Sequence, residues 1–70
     1  MAEYIDNKVQ QLRAKRGTTQ EELAGRVGVS RQTIIAIERG HYTPSVLLAL
    51  KIARYFKSSV EELFSIHHEK

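Results

Sequence analysis

Apolar residues along the chain recur at intervals of three and four rather than two. Ile5, Val9 and Leu12 stand at i, i+4 and i+7, one stripe of an amphipathic helix. The spacing predicts a first helix over about 4–15, with Gly17 as its stop signal. Thr19 and Glu22 in TQEE form a capping-box pattern that opens a second helix, with Leu23, Ala24 and Val27 inward and Gly28 at its end. Ser30 caps a third helix that stops at Gly40. Pro44-Ser45 opens a fourth over about 46–56, and SVEE repeats the capping box for a fifth over about 60–65. No stretch alternates with period two, so the expected class is all-α, five short helices around one core.

Only Gly28, Val29 and Ser30 separate the second and third helices. Two short helices joined by a tight glycine-containing turn make a helix-turn-helix when they cross at a large angle. At about 100° per residue, Ile34 and Ile37 define the inner side of the third helix. The outer arc then carries Gln32, Ile35, Ala36 and Arg39, with Arg31 and Thr33 at its margins. Arginine can pair bidentately with guanine, glutamine with adenine, and an apolar side chain can touch a thymine methyl. The competing reading of the same arc is an ordinary solvated face. Glu38 falls on the inner flank, and Arg13 shares the apolar stripe of the first helix. A carboxylate against a core is costly unless paired, so a largely buried Arg13–Glu38 ion pair is expected.

Two apolar stripes run along the fourth helix: Val46, Ala49, Leu50, Ala53 and Phe56, and Leu48, Ile52 and Tyr55. One stripe satisfies a helix packed on a single side. The other is free to form the seam of a homodimer; the pattern leaves open which stripe that is, and the candidate seam residues are Leu47, Leu48, Ile52, Tyr55, Phe64 and Ile66. The alternative is that all of it is internal core.

Seventy residues make one domain, assigned here to 1–70 with a core over about 6–66 and a short polar C-terminal tail. A chain of this size buries only roughly 60% of the surface its unfolded form exposes, which favours association with a second copy. With no cysteine, neither a disulfide framework nor a thiolate metal site is available. The N-terminal MAEYIDNKVQ has no apolar core like that of a signal peptide, and VLLAL is too short to span a membrane; a cytoplasmic protein with no membrane role is expected. The net charge of +3 permits nucleic-acid binding without demanding it. No nucleophile–base–orienter set, phosphate-cradling loop or carboxylate cluster appears, so no catalytic residue and no cofactor are assigned. The tail SIHHEK carries adjacent histidines that point different ways along a chain, so no metal site is expected there, only a frayed, solvated end.

The ordered set TQEELA, GVSRQTI, IERG and TPS, followed by SVEELF, closely resembles the Xre/Cro-type helix-turn-helix domain of phage repressors and small prokaryotic regulators. The similarity spans roughly residues 6–66. It implies a five-helix DNA-binding fold whose third helix enters the major groove. Carried over, Arg31 and Gln32 match the main base-reading positions. Ile35 and Ala36 match positions that are often polar readers, here apolar and suited to thymine methyls. Gln20, Ser30 and Thr33 match phosphate-side positions, and Arg39, His41, Tyr42 and Thr43 line a phosphate-gripping loop. Arg13 and Glu38 match a paired position, and many relatives are polar where Leu47 stands. The implied function is a sequence-specific regulator, a repressor, binding a pseudo-palindromic double-stranded operator as a homodimer. The other reading is an antitoxin or similar module of the same fold that binds a small protein partner.

Overall fold

The computed structural model describes residues 2–69. Five helices appear in the expected order: α1 Val9–Arg16, α2 Gln20–Val27, α3 Arg31–Glu38, α4 Val46–Tyr55 and α5 Val60–Leu63. Two strands that the sequence pattern did not predict bracket them: β1 Ala2–Asn7 and β2 Phe64–Glu69. They pair antiparallel, with Ile5 opposite Ile66 and Asn7 opposite Phe64.

This ribbon corrects three expectations. The first helix begins at Val9 rather than near residue 4, because residues 2–7 are extended. The fifth helix ends at Leu63 rather than residue 65, where Phe64 turns into β2. The tail is a strand through Glu69 instead of a frayed end; its last residue, Lys70, lies outside the described residues. The physical reason is pairing between two chain ends, which satisfies backbone groups that no local pattern signals. The ribbon joins the helices through the Lys8 N–H, which donates to the Leu63 carbonyl at 2.9 Å. His67 and His68 fall on opposite faces of β2, as neighbours on a strand do. His67 stacks on Tyr4, with ring centroids 4.8 Å apart, and His68 Nδ1 lies 3.1 Å from Glu3 Oε2.

Both capping boxes form. Thr19 Oγ1 accepts from the Glu22 N–H while Glu22 Oε1 accepts from the Thr19 N–H, and Ser59 and Glu62 do the same for α5. These bonds, above all from the Thr19 and Ser59 backbone, hold both glutamates below their ordinary carboxylate pKa. The core gathers Val9 of α1, Leu23, Ala24 and Val27 of α2, Ile34 and Ile37 of α3, Leu48, Ile52, Ala53 and Phe56 around α4, and Leu63 of α5. Each large apolar side chain fully buried there contributes about 1.5–3 kcal/mol.

The α4 stripes resolve differently from expectation. Leu48 and Ile52, assigned to a dimer seam, are buried within the chain's own core. Ala49, Ala53 and Phe56 of the other stripe are buried too. The buried arc centres on Ile52 and takes the inner members of both stripes, as about 100° per residue requires. Val46, Leu47 and Leu50 remain exposed, together with Ile66 of β2. Tyr55 is half-buried, its hydroxyl 3.0 Å from Thr18 Oγ1, with the Arg16 guanidinium stacked 4.7 Å from its ring centroid. Leu48, Ile52 and Tyr55 therefore serve the chain's interior.

Candidate nucleic-acid interface

α3 is positioned from both ends. At its start Ser30 Oγ accepts from the Thr33 N–H at 3.3 Å and lies 3.1 Å from Thr33 Oγ1. At its end the His41 N–H reaches the Ala36 carbonyl and the Gly40 N–H reaches that of Ile37, the paired bonds of a Schellman ending. Gly40, with φ of 76°, supplies the left-handed residue this ending needs. The chain thus leaves α3 sharply, into the exposed run His41, Tyr42 and Thr43.

Ile34 and Ile37 hold the inner side of the helix, fully covered. Arg31 and Gln32 are exposed on the first outer turn; Thr33, Ile35 and Ala36 are half-buried beside them, and Arg39 is exposed at the far end. The outer arc read from the sequence is therefore present, with Arg31, Gln32 and Arg39 most accessible and its apolar pair, Ile35 and Ala36, partly recessed.

The Arg13–Glu38 pair forms. Arg13 Nε donates to Glu38 Oε2 at 2.8 Å and Nη2 to Oε1 at 3.3 Å, while Nη1 donates to the Thr18 carbonyl at 3.0 Å. The Glu38 side chain is 4% exposed and that of Arg13 16%. Gln20 completes the group: its Nε2 donates to Glu38 Oε1 at 3.0 Å. A side chain carried over as a phosphate contact thus turns inward and ties the start of α2 to the last turn of α3. Its backbone N–H remains among the first N–H groups of α2, which have no intrahelical partner. Arg13, Thr19, Gln20, Glu21 and Arg31 together line a concave surface of about 420 Å³, so Arg31 borders the N-terminal end of α2.

One positioning residue carries no sequence signal. Asn7, the last residue of β1, donates from Nδ2 to the Ile37 carbonyl at 2.9 Å and accepts the Val9 N–H on Oδ1 at 3.1 Å. It binds the ribbon to the end of α3 and covers an orphan donor at the start of α1. An asparagine in a polar N-terminal run is unremarkable until the chain folds. Among the described residues no group of three or more His, Asp or Glu could hold a metal ion, and no helix is long and apolar enough to cross a membrane.

Residues 9–63 match the protein family described as Helix-turn-helix. The chain is 52% identical over 65 residues to the HTH-type transcriptional regulator YgzD of Bacillus subtilis (strain 168), covering 93% of this chain and 98% of that protein. The restriction-modification controller protein C.AhdI from Aeromonas hydrophila superposes with a TM-score of 0.73 at 31% identity, covering 79% of this chain and 83% of that one. The master regulator for biofilm formation SinR, solved in complex with DNA, superposes with a TM-score of 0.69 at 30% identity, covering 76% and 86%.

Proposed function

The chain belongs to the helix-turn-helix family of DNA-binding transcriptional regulators, and on that premise we propose that it reads a specific operator with the outer arc of α3 in the major groove. The carrying observation is that Arg31 and Gln32 stand exposed on the first turn of a helix whose other end is fixed by the Glu38 network. A bidentate arginine–guanine or glutamine–adenine pair is worth about 1–3 kcal/mol of discrimination only when the helix cannot rock away from the bases. Ile35 and Ala36 then lie against thymine methyls. The Gln20 backbone N–H, Ser30, Thr33, Arg39, His41, Tyr42 and Thr43 take phosphates on either side.

We propose further that it binds as a two-fold homodimer. One short helix covers few base pairs, and two copies read half-sites about one helical turn apart. The seam falls beside the α3–α4 loop, where Ile5, Pro44, Val46, Val60 and Phe64 line an apolar recess of about 190 Å³ and Ile66 stands exposed next to it. Leu47 lies about 100° round α4 from Val46, outside this recess. Occupancy of an operator is enough to exclude other proteins from it, so repression is the mode that needs nothing beyond this surface.

The test is selection of bound sites from random duplex DNA with the purified chain at near-physiological salt. Recovery of an inverted repeat with half-sites about ten base pairs apart is expected. Recovery of no motif above background would overturn the reading.

A further inference from the structure

The outer face of α4 carries a pattern that neither the core nor DNA reading uses. Leu47, Leu50, Lys51 and Arg54 stand at i, i+3, i+4 and i+7, one face of the helix. Leu47 is 64% exposed and Leu50 54%. Arg26, at the C-terminal end of α2, faces the same side: with Lys51 and Arg54 it rims a concave surface of about 400 Å³ whose floor includes Gly25 and Gly28. Lys51 and Arg54 also line a second hollow with the two leucines, so they form a ridge between a basic recess and an apolar one. None of the three cations is in an ion pair; among the described residues the pairs are Arg13–Glu38 and His68–Glu3. Glu22, one turn before Arg26, keeps its carboxylate on the Thr19 cap and feels the Arg26 charge without forming an ion pair with it. The recess shares no residue with the concavity that Arg31 borders at the other end of α2.

We infer that this surface docks an acidic amphipathic segment of another protein, its carboxylates on Arg26, Lys51 and Arg54 and its apolar side chains on Leu47 and Leu50. Three unpaired cations call for anionic partners. Two exposed leucines set among them are of no use to a phosphate backbone, but they fit the apolar stripe of a partner helix. A second copy fits poorly. A two-fold contact here would set Lys51 and Arg54 against their own counterparts, with Glu61 the single acid lining the adjoining hollow, and like charges placed together repel.

The probe is a fluorescent synthetic peptide of leucine and glutamate at helical spacing, titrated into the full chain and followed by anisotropy and by amide chemical shifts. Binding with shifts confined to residues 25–28 and 47–54 is expected. The exposed triple variant Arg26→Gln/Lys51→Gln/Arg54→Gln should weaken it about tenfold or more. Leu50→Ser should weaken it with all charges in place, and a lysine-for-glutamate peptide should not bind. Shifts centred on α3 would overturn the inference, as would equal binding of plain polyglutamate, which has no apolar stripe. Displacement of the peptide by random duplex DNA would reassign the surface to nucleic acid. A change in the triple variant's mass in solution would reassign it to a contact between copies.

Discussion

Arg13 and Glu38, 25 residues apart, are joined by two hydrogen bonds that connect the middle of α1 to the last turn of α3, and Gln20 donates to the same carboxylate. Burying such a pair costs desolvation on both sides, so its net worth against an apolar pair is close to nothing. Its value lies in direction. An apolar contact would let α3 turn about its axis, whereas three donors on one carboxylate fix that turn, and with it the aim of Arg31 and Gln32.

Removing one partner is therefore expected to be harsh. Glu38→Ala leaves the Arg13 guanidinium buried without its anion, and stability should fall by about 3–5 kcal/mol in urea denaturation. A loss below about 0.5 kcal/mol, the level of an ordinary surface change, would mean that the pair contributes nothing to the fold. Arg13→Leu/Glu38→Leu should recover most of the stability while weakening specific DNA binding, which separates aim from stability.

Asn7 supplies the second restraint on the same helix. Asn7→Ala orphans the Val9 N–H and removes one of two donors to the Ile37 carbonyl, which keeps the Gly40 N–H. The expected loss is about 1–2 kcal/mol. At about 4–8 °C per kcal/mol for a domain of this size, thermal melting should show it plainly. An unchanged melting temperature would rule out a structural role for Asn7.

Local chemistry made most of the helical layout legible. Thr19, Ser30, Ser45 and Ser59 all cap helices, and the charged pair stood out because each member lay on an apolar stripe. The ribbon did not stand out. One of its faces carries Glu3, Ile5 and Asn7 beside Phe64, Ile66 and His68, too polar to read as a strand, and each strand's partner is at the other end of the chain. Ile5 also falls by coincidence into register with Val9 and Leu12, which extends the helical pattern back over residues that are in fact a strand. On α4 the apolar residues exceed one face, so period alone could not say which were inside. Only packing against α2 and the rest of the core separates Ile52 from Leu50.

Acid should loosen two helix starts together. Glu22 and Glu62 have pKa values held below the ordinary 4.5, first by backbone bonds from Thr19 and Ser59. A carboxylate depressed on folding contributes stability that is fully present above its unfolded pKa and is lost as pH falls through the folded value. The loss should therefore begin near pH 4.5 and continue below it. Glu22→Gln/Glu62→Gln keeps an acceptor for both boxes and should show a shallower acid decline. Equal slopes for the two proteins would assign the acid sensitivity to other groups.

α4 ends on a strained residue that can be relieved. The Ser58 N–H reaches the Ala53 carbonyl and the Lys57 N–H that of Arg54, so Lys57 occupies the left-handed position of a Schellman ending, with φ of 53°. α3 fills the same position with Gly40. A side chain in this region costs about 1–2 kcal/mol, and glycine returns part of that gain through its more flexible unfolded chain. Lys57→Gly should raise stability by about 0.5–1 kcal/mol. A loss of stability would mean that the lysine stem packs on the helix end well enough to outweigh the strain.

Arg31 separates base reading from phosphate holding. If it pairs with a guanine, Arg31→Ala should cost about 1–3 kcal/mol on the selected site and relax preference at one position of each half-site, with little effect on random duplex. If it holds a phosphate, the loss should be uniform across sequences and the salt dependence should drop by about one unit of log–log slope. The concavity it shares with the start of α2 gives the second outcome a physical route, because first-turn N–H groups and a guanidinium together attract a phosphate. Competition titrations at two salt concentrations, on selected and random duplexes, decide between them. Loss of discrimination at one base pair with an unchanged salt slope would place the guanidinium on a base edge, with Gln32 left to read its neighbour.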